Sequence, residues 1–269
     1  MLYSPSMSLD LPSLLALFDR EVRIDIEYPG TEKDQLVDAA GEPRLVRFSR
    51  PAPGHSFVLF QNFPPAEANA EIAAQLRHFR GRGLPWDWKV YGHDAPSDLR
   101  ARLAAHGFIP EDEDAIMVLD LAAAPAALRA PVTADVRALT TRAELADVIT
   151  VMEGVWGGNF GWITERLGGH LEIPGYLEVY VAYVDDTPAA AAWVYLPPRT
   201  QFASLWAGST LSPYRSQGLY TALLATRVQA AQRRGYRYLV VDAGPMSRPI
   251  VARHGFEQLT TAQSFEAPA

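Results

Sequence analysis

The 269-residue chain contains no cysteine. Disulfides, thiolate nucleophiles and cysteine-ligated metal sites are therefore excluded. It has no apolar run of about eighteen residues, so the sequence predicts no membrane-spanning helix. Met1–Asp10 lacks both a basic segment and an apolar one, which argues against a secretory leader and leaves the cytoplasm as the default location. Clusters of Lys and Arg are scarce as well. Residues 1–130 hold 13 basic and 19 acidic side chains, and residues 131–269 hold 11 and 12, so the excess behind the net charge of −7 sits in the first half. That distribution disfavours a nucleic-acid surface. It serves solubility, and it is equally compatible with a cationic amine as substrate. No strong metal-ligand spacing is present, and the expectation is a protein without metal.

What is present is concentrated around Pro213-Tyr214-Arg215-Ser216-Gln217-Gly218-Leu219-Tyr220. Upstream, 202–211 reads as a buried strand that Pro213 ends. Downstream, Leu219, Tyr220, Leu223, Leu224, Val228 and Ala231 recur at helical spacing, with Arg227, Gln232, Arg233 and Arg234 assigned off that stripe. Gly235 stops the helix and 236–242 follows as a β-rich strand. A Gly-containing turn between a strand and a helix exposes amides that have no internal partner, at the positive end of the helix dipole. A phosphate or pyrophosphate fits there without any side-chain charge.

These residues resemble the GNAT acetyltransferase superfamily, whose signature Gln/Arg-x-x-Gly-x-Gly/Ala lies between a strand and a helix. Arg215 and Gly218 match it, while Tyr220 stands where the family has a small residue. The family's closing element, a short helix running into Gly-Phe, is matched by 246–256. The resemblance covers about residues 132–266. It implies acetyl-CoA as co-substrate, with Arg215, Ser216, Gln217, Gly218, Leu219 and Tyr220 at the pyrophosphate. Tyr220 is placed to crowd that group or to stack beside it. The resemblance also implies that Ser209, Thr210 and Leu211 pair through their backbone with the pantetheine arm. The family's tyrosine, which protonates the CoA thiolate, falls at Val251, so that acid is missing or supplied elsewhere. Arg248 and Arg253 are candidates for the nucleotide end or for plain surface ion pairs.

Acetyl transfer needs a neutral amine, a donor for the carbonyl oxygen and a proton for the thiolate. The central strand carries no carboxylate. Asp242, at the end of its strand, is the candidate catalytic base, directly or through water; the alternative is a cap of the next helix. Glu153, Glu165, His170, Glu172 and Glu178 are further alternatives. The aromatic, Gly-rich loop 155–162 puts Trp156, Phe160 and Trp162 forward as walls of the acceptor site, or as a hydrophobic plug.

The two halves end alike. His106-Gly107-Phe108 and His254-Gly255-Phe256 each close a short helix after a strand. The turn into the first half's helix, 62–66, has two prolines and no glycine, which makes a phosphate cradle there improbable. Arg80-Gly-Arg-Gly-Leu-Pro85 precedes a strand, so it reads as a helix-to-strand turn. Trp86, Trp88, Tyr91 and His93 read as packing.

The expected fold is α/β (α+β), two tandem acetyltransferase-like domains, each a mixed, mostly antiparallel sheet flanked by helices. A degenerate copy spans 1–121, a small-residue linker 122–131, and the acetyl-CoA-binding domain 132–269. The expected function is an N-acetyltransferase acting on a small-molecule amine, as monomer or homodimer. The alternative is a CoA-binding sensing or interaction module without turnover.

Overall fold

The computed structural model describes residues 10–51 and 54–268. The leader reading of the N-terminus falls on residues 1–9, which lie outside them. The described residues divide into two compact units that are not consecutive stretches: those within 10–117, 242–250 and 258–268 form one, and 118–241 and 251–257 form the other.

The first unit opens with α1 (Leu11–Phe18), started by the Asp10 carboxylate accepting from the Ser13 amide at 2.9 Å. A wider turn, Asp19–Ile24, follows. Strands β1 (Glu32–Val37), β2 (Pro43–Ser49) and β3 (Ser56–Gln61) form an antiparallel meander. Helix α2 (Ala68–Arg80) crosses to β4 (Trp86–Tyr91), which runs parallel to β3 through Ser56–Trp86, Phe57–Asp87 and Val58–Trp88. Then come α3 (Leu99–Ala105) and β5 (Ile109–Asp120). The core is aromatic. Phe79 stacks on Trp86 with centroids 4.4 Å apart, and Trp88 is fully buried with its indole N–H donating to Gln61 Oε1 at 2.9 Å.

Within this unit Arg23 is fully buried. Its guanidinium donates to the Leu59 carbonyl at 3.1 Å, to Asp19 at 2.6 Å and to both oxygens of Asp94 at 2.7 and 2.9 Å. Leu59 is the first β3 residue past the parallel pairing with β4. The point where those strands part is filled by the chain's own cation.

The second unit begins with α4 (Ala126–Arg129), tied down by Gln229 Nε2 donating to the Leu128 and Ala130 carbonyls at 3.1 and 2.8 Å. Residues 128–130 are thereby tied to the later helix that carries Gln229. Strand β6 (Val136–Leu139), helix α5 (Leu145–Trp156) and helix α6 (Trp162–Leu171) follow. Strands β7 (Leu177–Val184) and β8 (Thr187–Tyr195) form a hairpin whose loop residues, Asp185 and Asp186, have φ of 48° and 59°. Both are left-handed, as a tight two-residue turn requires. Next come β9 (Phe202–Thr210), α7 (Leu219–Arg233), β10 (Tyr238–Ala243), α8 (Arg248–Arg253) and β11 (Glu257–Glu266).

Strands β6, β7, β8 and β9 are antiparallel in that order, and β10 joins β9 in parallel. Helices α5 and α6 bury Val148, Val151, Ile163 and Leu167 against Val179 and Val181. Ala189 to Ala192 of β8 are completely buried, and their small side chains let helices approach closely.

The final strand departs from the sequence reading, which attached it to the second half. Residues 258–266 belong to the first unit, where Ala262 to Glu266 pair antiparallel with Tyr91 to Asp87.

The His-Gly-Phe turns share one geometry. Gly107 and Gly255 both have φ of 88°. The Phe108 amide reaches the Leu103 carbonyl, and the Phe256 amide reaches Val251, each five residues back. Both are glycine-terminated helix ends of the same kind.

Candidate active site

β9 and β10 stay together only at their starts. Phe202, Ala203 and Ser204 pair with Tyr238, Leu239 and Val240, and beyond Ser204 that edge of β9 is unpaired among the described residues. The other edge remains on β8 as far as Thr210 opposite Ala190. The strands therefore part into a V. Ala207 (φ 58°) and Gly208 (φ 104°) make a bulge where the β8–β9 register slips.

Past the bulge, Ser209 is buried and its Oγ accepts from Trp156 Nε1 at 2.9 Å. A residue expected at the cofactor and one expected at the acceptor are thereby brought together. The Leu211 amide goes to the Ala189 carbonyl at 2.9 Å. The Thr210 carbonyl accepts from Arg215 Nε at 3.1 Å, while Thr210 Oγ1 is buried without a partner. Arg215 thus clamps the strand end through its side chain.

The turn into α7 is the one that the sequence points to as a candidate anion site. Ser216 (φ 61°) and Gly218 (φ 81°) are both left-handed. Such a turn gathers successive amides on one concave side. The amides of Ser216, Gln217 and Gly218 have no acceptor among the described residues. The Gln217 side chain folds back to the Pro213 carbonyl at 3.2 Å, which leaves its own amide uncovered. Leu219 is buried as the first anchor of α7.

Residues 122–246 match the family described as Acetyltransferase (GNAT) domain. Across those residues the chain matches the GNAT acetyltransferase family. Three solved GNAT structures resemble the chain. A GCN5-related N-acetyltransferase from Kribbella flavida is 15% identical with a TM-score of 0.67, covering 96% of this chain and 94% of the other. One from Sphaerobacter thermophilus is 15% identical with a TM-score of 0.60, over 89% and 81%. A tandem GNAT protein from the clavulanic acid biosynthesis pathway is 15% identical with a TM-score of 0.58, over 96% and 95%. At such identities the likeness is one of fold. No curated protein sequence matches the chain.

An acyl-CoA fits what the GNAT domain presents: an open strand edge in the V, uncovered amides at a helix start, and an orphaned buried hydroxyl on Thr210. The other expected residues fall less simply. The Tyr220 ring is turned toward β9. Its Cε2 lies 3.1 Å from where a Gly208 Cβ would stand, and it tilts on His254 at 6.2 Å between centroids. Burial raises the phenol above its ordinary range, against the pull of the Arg227 charge. Val251 of α8 is buried and apolar.

Asp242 lies in the first unit's share of the chain and is ion-paired with Lys89 of β4. Burial works against the Lys89 charge, but Asp242 outweighs it and holds the ammonium above its usual range. The alternative carboxylates are all engaged. Glu153 accepts from the Phe160 amide at 3.1 Å, Arg142 bridges Glu165 and Glu172 at 3.0 and 2.8 Å, and Glu178 takes Tyr180 and Arg234. His170 Nδ1 lies 3.0 Å from Tyr195 Oη.

Phe160 and Trp162 sit together with centroids 6.3 Å apart, and the Arg166 guanidinium lies over Trp162 at 5.7 Å. Trp156 and Trp162 stay 60% and 45% exposed, too open for a buried plug within this unit. Sequence reasoning missed Trp206. It pairs across the sheet with Trp193, whose indole packs under α5 and α6, so Trp206 stands on that same face together with Ser209. Two tryptophans framing the end of β9 were legible only once the register was known.

Proposed function

We propose that this protein transfers an acetyl group from acetyl-CoA to a small-molecule amine, as a cytoplasmic monomer or homodimer. One observation carries the reading: the unpaired edge of β9 runs directly into a left-handed turn with three uncovered amides at the start of α7. A thioester arm matches the first, and a pyrophosphate matches the second. Acetyl-CoA brings an acyl carbon already activated toward attack. Ser216, Gln217 and Gly218 bind the pyrophosphate by backbone, and Arg215 fixes the strand end that leads to it. Trp156, Phe160 and Trp162 wall the acceptor and exclude water from the reacting centre. Asp242 is the first candidate to take the amine proton. Lys89 occupies its Oδ2, so Oδ1 is the oxygen left for that role.

The test is calorimetric titration with acetyl-CoA, followed by turnover against a panel of amines. One site per chain is expected. It should vanish in Gly218→Pro, because proline cannot adopt φ of 81° and supplies no N–H. Binding without turnover on any amine would support the sensing alternative instead. No binding at all would remove the acyl-CoA reading.

A further inference from the structure

Arg227 is the strangest residue of the second unit. It is 2% exposed, and no carboxylate pairs with it among the described residues. A buried charge without a counter-ion is costly. Desolvation pulls its pKa down to about 10, against the opposing influence of Tyr220 and Tyr180. Its donors go instead to carbonyls. Nε reaches Leu223 of its own helix at 3.1 Å, and Nη1 reaches Trp206 at 3.3 Å and Trp193 at 3.4 Å.

Those last two carbonyls belong to neighbouring strands. Trp206 of β9 is the residue immediately before the Ala207–Gly208 bulge, and Trp193 of β8 lies opposite it. Nη2 sits 3.9 Å from the position a Gly208 Cβ would take, and the Tyr220 ring closes the same space at 3.1 Å. α7 therefore presses a cation and a phenol against the bulge. Beyond it the strand carries Ser209, bonded to Trp156, and Thr210, clamped by Arg215.

We propose that Arg227 is a positioning residue for acyl transfer: by holding the Trp193 and Trp206 carbonyls from below, it fixes the bulge and with it the direction of the Ser209–Thr210 strand end. The inference rests on the acyl-CoA reading for its chemistry, but not for its structural part. Without the guanidinium, two strand carbonyls beneath a helix lose the Arg227 donor, and regular pairing competes with the bulge. Such a slip would turn side chains on the strand end to the opposite face.

Two variants test it. Arg227→Met keeps most of the apolar volume and removes every donor. Arg227→Lys keeps the charge and loses the fork. Hydrogen exchange followed by mass spectrometry on peptides covering 203–211 reads the bulge without any ligand. Arg227→Met should exchange at least about tenfold faster there, with peptides from α5 and α6 unchanged, since the effect is a local opening. In turnover, the folded variant should lose kcat by about a hundredfold, the scale of a small misplacement of reacting groups. Arg227→Lys should recover melting temperature but not kcat. A merely structural residue would lower the melting temperature and leave the kcat of the folded fraction alone. If Arg227→Met does not fold, Arg227→Lys alone decides by the same two readouts. Wild-type exchange over 203–211 together with wild-type kcat would overturn the proposal. If the wild-type protein neither binds nor turns over acetyl-CoA, the functional reading fails by itself, and the exchange data still decide whether Arg227 holds the bulge.

Discussion

At the scale of single residues, burial and charge decide which side chains matter. Arg23 of the first unit is neutralised on two sides, by Asp19 and Asp94. Removing Arg23 leaves Asp94 buried without its cation. Arg23→Met should therefore cost about 3–5 kcal/mol of stability, measured by chemical denaturation. His254 gives a pH dependence of known sign. Burial, with Arg253 beside it, holds its imidazole below the ordinary value. The unfolded chain then takes up the proton first, so this contribution is complete above about pH 6.5 and is lost as pH falls through the folded value. Comparing the melting temperatures of wild type and His254→Asn from pH 7.5 down to pH 5 should show the wild type losing more. Equal losses would mean that the histidine does not titrate in the fold. Trp156→Phe removes the indole donor to Ser209 and should raise the KM of the amine severalfold while leaving acetyl-CoA binding in place; a loss of acetyl-CoA affinity alone would assign Trp156 to the cofactor instead.

At the scale of elements, spacing carried further than chemistry-based judgement. The period of α7 puts position 227 in the row of 220, 223, 224 and 231, yet its charge argued for the solvent side. The structure follows the period, and Arg227 is buried. The stop at Gly235 was legible because turn chemistry and apolar spacing agree there. The bulge was not legible. Ala207 is a non-glycine residue with positive φ, and only the pairing of β9 with β8 shows why it is there. Gly208 has φ of 104° and a tyrosine ring against it. Gly208→Ala should thus cost about 1–3 kcal/mol from backbone strain alone. Adding Tyr220→Ala should relieve the contact without restoring wild-type stability, and thermal denaturation of the single and double variants separates the two effects.

At the scale of the whole molecule, the order of the chain and the order of its packing differ. Hydrophobic pattern places β11 as a strand after the His-Gly-Phe turn, but no local signal says which sheet it joins. Its partners are Tyr91 to Asp87, far back in the sequence. Deleting residues 257–269 should consequently unfold the first unit, exposing Trp88 behind β4. The intrinsic fluorescence should shift to the red, and guanidinium unfolding should lose one transition. An unchanged fluorescence maximum would show that β4 keeps its core without β11.

That pairing also bears on how the protein is made. A ribosome releases β4 long before β11 exists, so the first unit waits with one edge of β4 uncovered while more than half of the chain is still being translated. An exposed strand edge is a template for wrong partners. The second unit has no such delay in its five strands, and it can settle while the first still lacks its closing strand. Newborn chains of this protein should therefore depend on holding chaperones in proportion to how slowly β11 emerges, and synonymous codons within 118–256 become a means of tuning its yield.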